Sequence, residues 1–401
     1  MIKLRELIER MIPSLSTLFM KFFRLGATPY GGPAMIGQIK QTVVNQYAWL
    51  KEEEFLQGMA LCQLIPGATM VQMVTYVGYR LRGFWGALIF AFAFILPAFI
   101  ALLILSMFYF KMETIPFIHA LFKGLGAIVV AIVLNASIAL SKSIIKDWKV
   151  ILISILSFFG FFFRLNILLI FVLAGVAAIL LHPMGSQLKA PPLQKIKRED
   201  AKVRHYLLLG LLGILIFISL IFTYSIDPRL TSLCLRLSKI GALAFGGGFT
   251  MIPLIQYEVV ERFQWLTTKE FLDGIALGQI TPGPIMITAT FIGYKLSGFL
   301  GALMATIAIF SPSFFILILL IPYYDKLKRI EIVRTIERGI LGSFIGMLGL
   351  VLYNFGKTAF VDIPSVIFAV AAFLALLKKV SLPYILLIGG ILSILIFGFL
   401  I

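Results

Sequence analysis

The sequence predicts an all-α polytopic membrane protein: two homologous repeats of inverted topology, with about 13 transmembrane helices broken at Gly/Pro motifs. Three observations predict it. The chain is 60% hydrophobic and only 13% charged, with a mean hydropathy of +1.03, so a soluble fold would have too little polar surface to cover it. Residues 22–99 recur at 237–314. The recurrence carries Gly and Pro at matching places, the mark of a secondary transporter. The ten-residue alternating segments of a membrane β-barrel are absent, which leaves helices.

The repeat is read residue by residue. Arg24-Leu25-Gly26-Ala27 leads into Tyr30-Gly31-Gly32-Pro33, and Lys239-Ile240-Gly241-Ala242 leads into Phe245-Gly246-Gly247-Gly248. Trp49-Leu50, Glu54-Phe55-Leu56, Gly58, Gln63 and Pro66-Gly67 return as Trp265-Leu266, Glu270-Phe271-Leu272, Gly274, Gln279 and Pro282-Gly283. Gly78-Tyr79-Arg80-Leu81 returns as Gly293-Tyr294-Lys295-Leu296, and Pro97 as Pro312. Shared Trp, Gln, Pro and Gly are poorly explained by chance, unlike shared Leu or Ile.

Apolar runs predict spans near 14–32, 55–78, 84–110, 118–141, 148–163 and 166–182 in the first repeat. An unrepeated span follows near 206–225. The second repeat gives spans near 231–250, 271–293, 299–322, 332–356, 363–378 and 382–400. The domain division is 1–186, then a basic linker with the unrepeated span at 187–230, then 231–401. Seven spans separate the two repeat starts, and an odd number inverts the second repeat. Charge supports this. The 325–338 loop is rich in Lys and Arg, whereas its counterpart 110–123 holds only Lys111 and Lys123, as the positive-inside rule requires of an inverted pair. The same rule places the N-terminus and linker 187–205 in the cytoplasm of a multi-pass cell-membrane protein.

The formal net charge of +17 does not predict nucleic-acid binding, because the basic residues sit in short loops between apolar runs. Cys62 and Cys234 lie apart in apolar surroundings, which argues against a disulfide framework or zinc site. His119, His182 and His205 are dispersed, so no metal site is expected. No cofactor is expected, and no convergent catalytic set is present, which argues against an enzyme.

Arg24 and Lys239 occupy equivalent positions inside predicted spans. A cation at mid-membrane costs about 2.5–3.5 kcal/mol on insertion scales and marks a substrate path or a partner. The bland alternative is snorkelling to an interface. Two such cations point to an anion. Gly31-Gly32-Pro33 and Gly246-Gly247-Gly248 permit unwound backbone, which membranes tolerate where it lines a cavity. Gln63, Pro66 and Gly67, with Gln279, Thr281, Pro282 and Gly283, form a second break placed to begin a half-helix. The free N–H groups of a half-helix N-terminus suit an oxyanion, although small residues also serve plain helix packing. Arg80 and Lys295 follow that break as gating cations or topology anchors. Glu54 and Glu270 suit helix caps, and Glu258, after Pro253 in an apolar stretch, is the better coupling candidate.

These motifs together resemble the chromate ion transporter family in its long, two-domain form. The resemblance covers about 80 residues in each half: Phe23-Arg24-Leu25-Gly26 with Tyr30-Gly31-Gly32-Pro33, Gln63-Leu64-Ile65-Pro66-Gly67 and Gly78-Tyr79-Arg80-Leu81-Arg82-Gly83, with their second-half counterparts. Pro29-Tyr30 and Ala68 depart from the family pattern. The resemblance implies chromate efflux that confers chromate resistance, with proton coupling left open. Sulfate, a tetrahedral dianion of similar size, is the competing substrate, and a passive anion channel is the other alternative. The expected partners are the oxyanion and the lipid bilayer. A homodimer is a transporter default, not a reading of any surface here.

Overall fold

Each repeat runs as three short helices followed by two long and two shorter apolar helices. The computed structural model describes residues 14–28, 32–112, 115–181, 203–243, 245, 248–323 and 331–398. Gly31, Gly246, Gly247 and most of linker 187–205 lie outside the described residues. The first repeat contains α1 (Leu15–Ala27), α2 (Gly32–Lys40) ending in a π-helical turn (Gln41–Gln46), α3 (Glu52–Leu64), α4 (Thr69–Met112), α5 (Pro116–Ile144), α6 (Trp148–Phe162) and α7 (Ile167–Leu181). The unrepeated α8 (Val203–Ile226) follows. The second repeat contains α9 (Pro228–Leu243), α10 (Met251–Gln256) ending in a π-helical turn (Tyr257–Arg262), α11 (Thr268–Ile280), α12 (Thr288–Leu320), α13 (Glu331–Ala359), α14 (Ile363–Leu377) and α15 (Leu382–Gly398).

The backbone repeats as faithfully as the sequence. Ala48 (φ 47°) and Gln264 (φ 51°) are left-handed at equivalent positions, as are Arg164 (φ 60°) and Lys379 (φ 61°). The left-handed glycines also pair, Gly67 (φ 129°) with Gly283 (φ 117°) and Gly83 (φ 62°) with Gly298 (φ 54°). Such conformations cost a side chain strain, so their recurrence marks one supersecondary plan used twice. Local caps recur too. Asp147 accepts from the Val150 N–H at 3.0 Å, and Asp362 from the Ser365 N–H at 2.9 Å. Glu54 accepts from the Lys51 N–H at 3.2 Å and Glu270 from the Thr267 N–H at 2.8 Å, each satisfying an orphan donor at a helix start.

α4 and α12 are hairpins rather than single rods. Arg82 and Gly83 leave helical geometry, as do Ser297 and Gly298. A Cβ placed on Gly78 would lie 2.3 Å from the Gly86 carbonyl oxygen, and one on Gly293 would lie 2.1 Å from that of Gly301. Eight residues of unbroken helix would hold these glycines about 12 Å apart, so the chain reverses between them. Thr290 and Thr306 hydrogen-bond across the second hairpin at 2.7 Å.

Three sequence expectations are revised. The predicted span 55–78 is two helices, α3 and the first arm of α4, and 271–293 divides likewise. The segments 32–46 and 251–262 are helical, although no separate span is predicted there. Among the described residues five helices, with each hairpin taken whole, are long and apolar enough to cross a membrane, and α6, α7, α14 and α15 are shorter apolar helices, so the count of 13 is not confirmed.

The described chain groups into two compact units, each drawing on both repeats. The first holds α1–α3, α4 as far as Ile104, α8, α9 and Thr281–Pro322. The second holds α5–α7, Leu243–Ile280 and the chain from Tyr323 onward. Within the second, α5 packs on α13, α14 and α15, and α13 packs on α6 and α7. Contact there is reciprocal between the repeats. A Cβ on Gly124 would strike Ser393 of α15, and one on Gly339 would strike Ala174 and Ala178 of α7. Ser393 accepts from the Gly124 N–H at 2.9 Å and donates to the Ala120 carbonyl at 2.5 Å, a polar tie suited to helix packing in lipid.

Candidate functional site

In the first unit the Pro-Gly breaks of both repeats meet the opposite repeat. α3 ends at Leu64 and α4 starts at Thr69, with Ile65–Ala68 non-helical between them. α11 ends at Ile280, and one turn at Ile285–Ile287 precedes α12. A Cβ on Gly67 would lie 2.2 Å from the Ser313 Cβ, and a Cβ on Gly283 would lie 2.7 Å from the Ala98 Cβ. Ala98 and Ser313 are equivalent residues, each following the mid-helix proline, Pro97 or Pro312. Each break is therefore seated against the other repeat's proline-bearing arm, with glycine demanded by both space and φ.

Gln72 holds the first break together. Its side chain is 1% exposed, and its Nε2 donates to the Pro66 carbonyl at 2.6 Å. Its Oε1 is buried with no hydrogen-bond partner among the described residues. In the second repeat Thr288 Oγ1 donates to the Ile285 carbonyl at 2.9 Å, and Thr281 is buried. The start of α4 thus presents N–H groups at a buried interruption, an arrangement that favours negative charge, whereas at the start of α12 the Thr288 N–H is already taken by the Ile285 and Met286 carbonyls.

The other predicted residues are placed as follows. Arg24 lies in the last turn of α1 and is exposed, while Lys239 is part-buried in α9. Both helices press closely on a hairpin arm: a Cβ on Gly26 would lie 2.2 Å from the Phe94 carbonyl oxygen, and one on Gly241 would lie 2.2 Å from that of Ile309. Gly32 and Pro33 open α2, and Gly248 opens a 3-10 turn in which Thr250 Oγ1 donates to the Phe245 carbonyl at 2.6 Å. Gln63 is exposed, whereas its counterpart Gln279 is 5% exposed, its Nε2 without a partner among the described residues. Pro282 is part-buried. Arg80 pairs with Glu54 at 2.6 Å, and Lys295 is exposed.

The second unit holds a buried acidic set that the sequence only hints at. Glu258 is 2% exposed and lies 3.4 Å from Arg262. Asp273, also 2% exposed, accepts from the Tyr109 hydroxyl at 2.7 Å. Glu261 accepts from Asn354 at 2.9 Å. The equivalent first-repeat residues are Thr42, Gln57 and Asn45, so at these three positions only the second repeat carries carboxylates. Among the described residues no group of three metal-ligating side chains occurs.

The sequence matches the chromate transporter family over residues 16–179 and again over 231–394, two stretches offset by 215 residues. The chain belongs to the chromate transporter family. Members of this family are membrane transporters, consistent with the apolar helices here. The chain is 37% identical to an uncharacterized transporter of Methanocaldococcus jannaschii, over 97% of this chain and 96% of the relative. It is 29% identical to the chromate transport protein of Cupriavidus metallidurans, over 93% and 90%. It is 27% identical to the chromate transport protein of Pseudomonas aeruginosa, over 90% and 86%. No solved structure matches this chain.

Proposed function

We propose that this chain carries chromate across the cell membrane, exporting it by alternating access around the two breaks of the first unit. The observation that carries the reading is the reciprocal seating of Gly67 on Ser313 and Gly283 on Ala98. The broken helix of the first repeat gives a tetrahedral dianion N–H donors at the start of α4. Arg24 and Lys239 supply the compensating positive charge, and charge-assisted bonds of this kind are the strong ones. Gln63 and Thr281 add side-chain donors. Arg80 and Lys295 act as gate cations. The relatives named as chromate transport proteins support the substrate. Sulfate is the alternative oxyanion. Inverted repeats, with the N-terminus and linker inside, follow from the loop charges.

Export driven by a proton gradient needs a group that exchanges protons. Glu258, supported by Asp273, is that group in this reading, and the neutral Thr42 and Gln57 of the first repeat restrict coupling to one pathway.

The test is chromate uptake into liposomes holding the purified protein, with and without a pH gradient and with sulfate as competitor. Saturable uptake accelerated by the gradient is the expected result. Sulfate flux without chromate flux would overturn the substrate. Unsaturable flux indifferent to the gradient would mark a passive channel.

A further inference from the structure

Within the first unit, α8 stands off from the hairpins at mid-length. Its Leu212, Leu215, Ile216 and Ser219 form one helical stripe, yet they line a cleft of about 370 Å³ instead of packing shut. The facing walls are the second arm of α4, with Ala91 and Phe92, and α12, with Ile307 and Phe314. Thr223 of α8 hydrogen-bonds Thr231 of α9 at 2.9 Å, and Leu209, near the other end of α8, is buried.

The lining chemistry selects the ligand. Both hydroxyls in the walls turn away into their own helices: Ser219 donates to the Ile216 carbonyl at 2.7 Å and Ser311 to the Ala308 carbonyl at 3.5 Å. No charged side chain lines the cleft. An oxyanion would lose its hydration there with nothing in return, so the cleft is not part of the substrate path. It is large for a hydrocarbon guest, since a cavity of roughly 150 Å³ already accepts benzene. The cleft opens outward, with Leu215 55% exposed, and the rest of α8 is exposed and apolar too, with Phe217 64% and Ile221 54% exposed. In a membrane transporter the bilayer covers those faces, and the cleft is continuous with them.

The geometry points to an intramembrane lipid site: one acyl chain of a bilayer phospholipid inserts between α8 and the two hairpins. The tail would stand directly behind the functional breaks. Val71, in the cleft wall, adjoins Gln72, which ties the first break. Phe314 adjoins Ser313, which seats Gly67. The unrepeated helix thereby gains a role, holding a tail against the backs of both proline-bearing arms. This inference rests on membrane residence alone, so it stands or falls separately from the chromate assignment.

The test uses phosphatidylcholine with a photoactivatable diazirine on one acyl chain. The full-length protein is reconstituted with it, washed in detergent to strip surface lipid, irradiated, and mapped by peptide mass spectrometry. The expected adducts fall on Leu215, Ile307 and Phe92, survive the wash, and drop at least fivefold in Ala91→Phe, while adducts on Phe217 and Ile221 disappear with washing in both proteins. Ser219→Leu fills the cleft from the opposite wall and must give the same loss, which covers a folding failure of the first variant. Adducts spread evenly over α8, insensitive to either substitution, would reduce the contact to ordinary surface lipid and overturn the site. If a second copy of the chain filled the cleft, the washed protein would run as a dimer and its cleft would take no adduct, which also overturns it.

Discussion

Gly78→Ala tests the hairpin directly. The added Cβ would sit 2.3 Å from the Gly86 carbonyl oxygen and 2.7 Å from its carbon. Ordinary contact begins near 3.4 Å, so the arms must part by about 1 Å. The obstacle is backbone, and no rotamer change relieves it. Overpacking of this kind costs typically about 1–3 kcal/mol. Parting the arms also loosens Phe90, which is fully buried and lies against Gly78. A loss near 2 kcal/mol is expected, a change of roughly 30-fold in the folded-to-unfolded ratio. Gly293→Ala should behave alike, because its Cβ would lie 2.1 Å from the Gly301 oxygen. Gly37→Ala is the control: it is exposed on α2 with nothing within 4 Å of its Cβ, and alanine should gain about 0.5–1 kcal/mol there. The assay is the temperature at which half of the monodisperse protein survives heating in detergent. Gly78→Ala and Gly293→Ala should fall by several degrees while Gly37→Ala does not. A Gly78→Ala protein that melts with the parent would refute the close approach of the arms, and with it the reading of α4 as a hairpin.

Two further substitutions probe the break and the loop charges. Gln72→Leu removes the donor to the part-buried Pro66 carbonyl, at a cost of about 1 kcal/mol; hydrogen exchange at residues 65–68 should rise while α13 is unchanged. At the start of α14, burial alone would raise the Asp362 carboxyl, but hydrogen bonds from Lys123 and Ser365 outweigh it and hold the group below its ordinary range. A lowered folded pKa adds stability that is present above the unfolded value and lost as pH falls through the folded one. The pair is partly exposed, so Asp362→Asn, which retains a capping side chain, should cost under about 1 kcal/mol at pH 7. That deficit should begin to shrink as pH falls below about 4, the unfolded carboxylate value, and vanish only below the lowered folded value. A deficit that persists in acid would show that the charge is not its source.

Much of this fold is legible in the residues, because what repeats is chemically scarce. Pro66-Gly67 and Pro282-Gly283 mark real interruptions, and the apolar runs place α5–α7 and α13–α15 within a few residues of their bounds. The hairpin turns are legible too: the span boundaries at 78/84 and 293/299 bracket Gly83 and Gly298, where φ is positive. What the apolar runs do not show is that each first arm is separated from the helix before it at Pro66-Gly67 or Pro282-Gly283. The π-helical turns escape because Gln41–Gln46 and Tyr257–Arg262 mix polar and branched residues without a 3.6-residue apolar stripe. The site is legible in part. Gln63 and Gln279 are one residue type in one motif, yet one is exposed and the other buried, a difference set by packing partners distant in sequence. Asp273 lies among other acidic residues near a helix start, and only the fold brings the Tyr109 hydroxyl to it.

The most direct test of the account is the affinity of the purified protein for chromate, measured alongside flux, in Arg24→Gln, Lys239→Gln and the double variant. A charge-assisted hydrogen bond contributes about 1.5–3 kcal/mol, so each single change should weaken binding by roughly 10- to 100-fold, with saturable flux falling in step. The double variant should show neither binding nor flux. Three variants that bind and transport chromate as the parent does would contradict the claim that this repeated pair of cations balances the oxyanion.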